Sequence, residues 1–158
     1  MYKRILVPID GSPTSNLGLN EAIKLAKDQG AKLRLFHLVN EYIAVASPDG
    51  MAFSNTDGLL GSLRQGGKKI IEKAEALARR NGLVPESVML ESFGGPAANF
   101  IVQQANKWKA DLIVLGTHGR RGVKRLVMGS DAEQVIRTTR VPVLLVRSKT
   151  TTRASRKA

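Results

Sequence analysis

Short apolar runs alternate with segments of helical periodicity along most of this 158-residue chain. The apolar runs predict five β-strands, and the periodic segments between them predict four helices. Near-continuous apolar strands that alternate with helices favour a parallel sheet covered on both faces. The alternation therefore predicts a single-domain, Rossmann-like α/β fold with a five-stranded parallel sheet and helices on both faces. The predicted strands span residues 2–9, 32–39, 87–91, 111–115 and 141–146, and the predicted helices span 13–29, 59–80, 96–108 and 131–136.

Capping residues and breakers set the expected ends of these elements. Ser12 followed by Pro13 predicts the N-cap and first residue of the first helix, and Gly30 predicts its end. Residues 41–58 lack periodicity and predict a long loop. Pro142 cannot donate to a ladder, so the last strand is expected at a sheet edge or to begin with the proline. An apolar edge favours aggregation unless it is covered, so we expect a homodimer through Val141–Val146.

Composition excludes several classes of function. The chain has no cysteine, which excludes disulfides, thiol catalysis and thiolate metal sites. Four Phe, two Tyr and one Trp are too few for a stacking platform on single-stranded nucleic acid. No apolar segment reaches membrane-spanning length, and the start lacks the apolar stretch of a signal peptide. A cytoplasmic location is therefore expected.

The formal net charge of +12 is concentrated in two places. Four basic residues lie within 116–130, and five lie from Arg147 onward with no acid among them. We expect a domain at 1–147 followed by a basic, disordered tail at 148–158. Such a tail leaves nucleic acid or an anionic surface open as a partner, and a solvated polar tail explains it equally well.

A glycine-rich loop follows the fourth predicted strand. Glycines can bring backbone N–H groups against a ligand because they tolerate positive φ and carry no obstructing side chain. The helix predicted after the loop adds further N–H groups and the positive end of its dipole. These are the parts of a phosphate-binding site. The loop contains Gly116, Gly119, Gly122, Gly129 and Ser130 together with the basic residues Arg120, Arg121, Lys124 and Arg125.

Two common nucleotide-binding patterns are absent. The chain has no G-x-x-x-x-G-K-[ST] motif, and its first strand-to-helix turn is Asp10-Gly-Ser-Pro13 instead of G-x-G-x-x-G. Ligands of parallel α/β sheets bind beyond the carboxyl ends of the strands, where the strand order reverses. Asp10, Val39 and Gly116 all lie at such predicted ends, so a site is expected there.

The remaining spacing, Gly116-x₂-Gly119-x₉-Gly129-Ser130, closely resembles the ATP-binding class of the universal stress protein family. The start Ile-Leu-Val-Pro-Ile-Asp-Gly-Ser, the strand Leu-Phe-His-Leu-Val39 and the ending Val-Pro-Val-Leu-Leu-Val extend the resemblance over about 3–147. It implies an adenine nucleotide alpha hydrolase-like fold that binds ATP, with or without Mg²⁺, and forms a dimer through the last strand.

The resemblance also implies roles for individual residues. Pro8, Ile9, Asp10 and Val39 would border the adenine and ribose. The loop residues Gly116, Gly119, Gly129 and Ser130 would hold the phosphates. Asp131 follows Ser130, and its carboxylate would repel a phosphate unless it points away or binds a metal.

Several candidates have a structural alternative. Asp10 can cap the turn that follows it, Ser130 can act as an N-cap, and both roles are compatible with ligand contact. His37 is expected to be a buried, hydrogen-bonded histidine, whereas His118 either contacts a phosphate or faces water. Arg120 and Arg121 are either a solvated pair or, because adjacent side chains point apart, one of them reaches the ligand. Trp108 is expected to pack in the core, and the metal ligands stay unknown.

The expected function is that of an ATP-binding stress-response regulator with slow or no hydrolysis, acting on an unknown protein partner. Hydrolysis needs a positioned water and a group to orient it, and the loop offers few carboxylates for this. Two alternatives stay open: an ATPase whose hydrolysis is the function, and nucleic-acid or anionic-surface binding through the tail. The loop at 41–58 is the expected element of nucleotide-dependent change.

Overall fold

The computed structural model describes residues 1–40, 56–117 and 129–147, which form five strands and four helices. In chain order these are β1 Arg4–Pro8, α1 Pro13–Gln29, β2 Lys32–Asn40, α2 Thr56–Arg80, β3 Glu86–Ser92, α3 Ala97–Trp108, β4 Leu112–Gly116, α4 Ser130–Thr138 and β5 Val143–Val146.

The strands form one parallel sheet in the order β3-β2-β1-β4-β5. The chain builds outward from β1 to β3, then crosses back to place β4 on the other side of β1. The strand order therefore reverses between β1 and β4, and their carboxyl ends flank a crevice. This topology confirms the predicted Rossmann-like fold.

The two faces of the sheet bury separate apolar clusters because side chains alternate along each strand. Ile5, Val7 and Leu35 pack with α1 and α2 on one face. Leu6, Phe36 and Leu115 pack with α3 and α4 on the other. The central strands are apolar on both faces, as expected for a sheet covered on both sides.

The predicted limits of α1 are confirmed. Ser12 Oγ accepts a hydrogen bond from Ser15 N at 3.1 Å, and Pro13 occupies the first turn. Gly30 ends the helix with φ of 63°, a left-handed conformation that favours glycine.

Other limits differ from the sequence predictions. Helix α2 begins at Thr56, before the predicted start at residue 59, and continues through Gly66 and Gly67. Residues 41–55 of the predicted loop and the tail at 148–158 lie outside the described residues. Helix α4 is longer than predicted, and its N-cap is Gly129, so Ser130 is its first residue and not its cap.

Strand β5 confirms one prediction about the sheet edge. It begins at Val143, directly after Pro142, and pairs with β4 alone among the described strands. Within the described part of the chain, no helix is both long and apolar enough to cross a membrane.

Candidate functional site

A cavity lies at the carboxyl ends of β1, β2 and β4, beside the point where the strand order reverses. Its free space, including the solvent at its open mouth, is about 770 Å³. Its position is that of a small-molecule site in an open α/β sheet. Its described lining consists of Pro8, Ile9, Asp10, Ser12, Thr14, Ser15, Phe36, Leu38, Asn40, Ala97, Ile101, Leu115, Gly116, Asp131 and Ala132.

The structure brings four of the predicted site residues into this lining. They are Pro8, Ile9, Asp10 and Gly116. Gly129 and Ser130 begin α4, directly before the lining residues Asp131 and Ala132. The predicted contacts His118, Gly119 and Arg120 lie outside the described residues, as do Arg121, Lys124 and Arg125.

Val39 is buried on the opposite face of the sheet. A Cβ added at Gly67 of α2 would lie 3.0 Å from Val39 Cγ2 and 2.9 Å from His37 Cδ2, so both side chains pack against this helix. Because side chains alternate along β2, Leu38 and Asn40 line the cavity in its place. The prediction for His37 is confirmed, since it is 8% exposed and its Nδ1 lies 2.7 Å from the Ile9 carbonyl oxygen.

Asp10 organises the turn between β1 and α1. Its Oδ1 accepts a hydrogen bond from Ser12 N at 2.9 Å, and its own N–H donates to Ser15 Oγ at 3.1 Å. The predicted turn-capping role of Asp10 is therefore present. The residue is nevertheless exposed and borders the cavity, so the cap also holds a carboxylate at the site.

Three helices begin at the cavity wall. Ser12, Thr14 and Ser15 place hydroxyl groups there from the start of α1. The N-caps of α3 and α4 are Pro96 and Gly129, and neither makes a side-chain capping hydrogen bond. Helix N-termini carry a partial positive charge and orphan N–H groups, which suit an anion.

The formal charges of the described lining residues are negative, opposite in sign to the partial charge of the helix N-termini. They come from Asp10 and Asp131, and no lysine or arginine is present among the described lining residues. The cavity therefore combines partial positive charge from backbone groups with two carboxylates. The described residues contain no group of three or more His, Asp or Glu that could hold a metal ion.

At Gly116, which lines the cavity, the backbone of β4 lies very close to the backbone of the first turn of α1. A Cβ at this position would lie 2.0 Å from the Thr14 carbonyl oxygen. A Cβ at Gly18 would lie 2.9 Å from Gly116 N. The two glycines therefore allow the helix to lie directly against the end of β4, which places its N-terminal turn at the cavity.

Part of the lining was not predicted from the sequence. Leu38 and Asn40 follow Phe36 at intervals of two, so a face assignment for β2 would have identified them. Ala97 and Ile101 lie four residues apart on one face of α3. No motif marks these four residues, because their contribution depends on how the helix packs on the sheet.

Comparisons with known proteins agree with this architecture. Residues 1–147 match the model of the universal stress protein family. The chain is 36% identical over 147 residues to the universal stress protein MJ0531 of Methanocaldococcus jannaschii, covering 93% of this chain and 83% of that protein. A crystal structure from the same family in Burkholderia pseudomallei is 28% identical, with a TM-score of 0.74 and coverage of 93% and 97%.

Two further structures share the fold at lower identity. A universal stress protein in complex with cAMP is 23% identical, with a TM-score of 0.64 and coverage of 92% and 96%. One from Archaeoglobus fulgidus in complex with dAMP is 22% identical, with a TM-score of 0.63 and coverage of 91% and 97%. The family match over 1–147 and the 36% identical relative show that this chain belongs to the universal stress protein family.

Proposed function

We propose that this protein binds an adenine nucleotide, ATP in the first instance, in the cavity at the carboxyl ends of β1, β2 and β4. The observation that carries the proposal is the position of this cavity at the strand-order reversal, with three helix N-termini at its wall. Proteins of the same fold include binders of cAMP and dAMP, which supports an adenine nucleotide as the ligand class.

The described lining suits the two halves of such a ligand. Phe36, Leu38 and Ile101 offer an apolar wall for a purine ring. The first turns of α3 and α4 offer uncapped N–H groups for phosphate oxygens. Gly129 and Ser130 begin α4, and we assign them to the phosphates together with the predicted contacts His118, Gly119 and Arg120.

We assign Val39 to the nucleoside through its backbone only. Its side chain packs against Gly67 on the other face of the sheet, while its neighbours Leu38 and Asn40 line the cavity. Replacing the Val39 side chain is therefore expected to act on packing more than on the ligand.

The experiment is calorimetric titration of ATP, with and without Mg²⁺, into the protein and into a variant with a blocked cavity. Ala97→Phe introduces a large side chain at the half-buried first residue of α3, in the lining. Gln103→Phe is the matched control, because Gln103 is exposed on the same helix and absent from the described lining. We expect loss of binding in Ala97→Phe and unchanged binding in the control.

The double variant Gly129→Ala, Ser130→Ala tests the assignment of the phosphates. Weaker binding of ATP is expected, with binding of adenosine retained. Equal affinity for ATP in the double variant and the unaltered protein would remove the phosphates from the start of α4.

We further propose that the protein is a cytoplasmic, nucleotide-dependent regulator and hydrolyses ATP slowly or not at all. Asp10 and Asp131 are the carboxylates of the described lining, and Asp10 is already engaged in capping its turn. Saturable phosphate release that collapses in Asp10→Asn would instead identify the protein as an ATPase. The cytoplasmic location stays a prediction from the sequence.

A further inference from the structure

We infer that Asp131 sets the number of phosphates that the bound nucleotide carries, by opposing each added phosphate charge at the start of α4. The inference rests on the proposed function, since it concerns selectivity within the same cavity. It assigns a discriminating role to a side chain that would otherwise be a surface residue of a short helix.

The Asp131 carboxylate lies where a phosphate would bind. Asp131 is the second residue of α4 and lies in the described lining, next to Ala132. The orphan N–H groups of the same helical turn are the donors that a phosphate would use. A phosphate at these donors therefore approaches a formal negative charge.

Formal negative charge at this helix end opposes the attraction of the helix dipole for an anion. The first turn of α4 carries two acidic residues, Asp131 and Glu133. Carboxylates in a first turn interact favourably with the helix dipole and offset its attraction for an external anion. The other formal charge of the described lining, Asp10, is also negative. Within the described lining, the formal charges therefore oppose each phosphate that is added to the ligand.

The two acidic residues of the turn lie in different places. Glu133 Oε1 lies 3.6 Å from Arg137 Nη1 on the solvent side of the helix, and Glu133 is absent from the described lining. The Glu133 carboxylate therefore forms an ion pair with Arg137, one turn further along the helix. Asp131 borders the cavity, so the two residues allow a matched comparison of the same charge in two places.

The experiment measures the affinities of adenosine, AMP, ADP and ATP by calorimetry, without Mg²⁺ and then with it. In Asp131→Asn we expect adenosine to bind as before. The affinities of AMP, ADP and ATP should all rise, with the smallest gain for AMP and the largest for ATP. The gain for ATP should be about tenfold at low salt. It should shrink as NaCl is added, because salt screens the interaction between exposed charges.

Glu133→Gln is the matched control: because Glu133 pairs with Arg137 and is absent from the described lining, the ratio of ATP to adenosine affinity should rise less than in Asp131→Asn. An equal rise in both variants would contradict a special role for Asp131. Asp131→Ser serves as a second variant should the asparagine variant melt at a lower temperature than the unaltered protein. Either Asp131 variant supports the inference if the ratio of ATP to adenosine affinity rises more than in Glu133→Gln.

Two further results would overturn the inference. An equal change for adenosine and ATP would show that the carboxylate acts on the nucleoside or on packing. A loss of ATP affinity confined to Mg²⁺-containing buffer would show that Asp131 holds the metal. Absence of binding for all four ligands to the unaltered protein would be a different failure, because it would overturn the proposed function as well.

Discussion

At the scale of single residues, Gly116 serves the architecture as well as the site. From the glycine spacing, Gly116 was expected to hold a phosphate. It does line the cavity, but its lack of a side chain is required on the other side, by the first turn of α1. The closest atoms are backbone atoms of Thr14 and Ser15, which cannot move without moving the helix. The glycine is therefore explained by packing before any ligand is considered.

The variant Gly116→Ala tests this explanation. Its Cβ would lie 2.0 Å from the Thr14 carbonyl oxygen and 2.8 Å from Ser15 N. We expect a loss of about 3 kcal/mol in the free energy of unfolding, at the upper end of the usual range for overpacking. Urea denaturation without nucleotide measures it. A loss below about 0.5 kcal/mol would mean that α1 can shift at little cost, contrary to this account.

At the scale of elements, two neighbouring glycines of α2 have opposite environments, one exposed to solvent and the other buried against the sheet. Gly66 and Gly67 are adjacent within its regular helical span. Gly66 is exposed, and an added Cβ would meet no atom within 4 Å. Gly67 is buried against His37 and Val39 of β2. The pair therefore separates helix propensity from packing.

We predict opposite effects for alanine at these two positions. Gly66→Ala should stabilise the protein by about 0.5–1 kcal/mol, because alanine has the higher helix propensity and here meets no neighbour. Gly67→Ala should destabilise it by about 1–2 kcal/mol, because its Cβ would approach His37 and Val39 to about 3 Å. Thermal melting of the two variants side by side measures both. The same sign for both would contradict the packing of α2 on β2.

The elements were largely predictable because their signals are local. Ser12, Pro13 and Gly30 act on their own helix, and the limits of α1 followed from them. The predicted start of α2 was three residues late and the predicted cap of α4 was one residue late, since Thr56 and Gly129 carry no strong signal. The cavity was predictable only where a strand end or a motif marked it. Ala97 and Ile101 reach it through the packing of α3 on the sheet, which no local pattern encodes.

At the scale of the whole molecule, β5 forms one edge of the sheet that the described residues build. The carbonyl oxygens of Pro142 and Val146 accept hydrogen bonds from Ile113 N and Thr117 N of the β4 side. Because backbone groups alternate along a strand, the N–H and C=O of Val143 and Leu145 point away from β4. This outward row of donors and acceptors would serve a second copy of the chain, as in the homodimer expected from the sequence.

Val143→Pro tests the dimer by removing one outward N–H, while the hydrogen bonds to β4 are kept. Val143→Ala is the matched control, because it shortens the same side chain and retains the N–H. We expect sedimentation velocity to show a shift from dimer to monomer in the proline variant only. A monomeric unaltered protein, or a dimer that persists in the proline variant, would contradict pairing through this edge.

The central place of β1 also has a consequence for the order in which the protein can fold during synthesis. Ile5 and Leu6 pair with β2 on one side and with β4 on the other. The backbone N–H of Arg4 also donates a hydrogen bond to Asp111 Oδ1, and Asp111 lies 107 positions later in the chain. At about 5–20 residues per second, the ribosome needs roughly 5–20 s to make that stretch. For that interval one edge of the central strand has no β4 beside it, so the N-terminal half of the sheet stays open on that side until the strand that completes it is made.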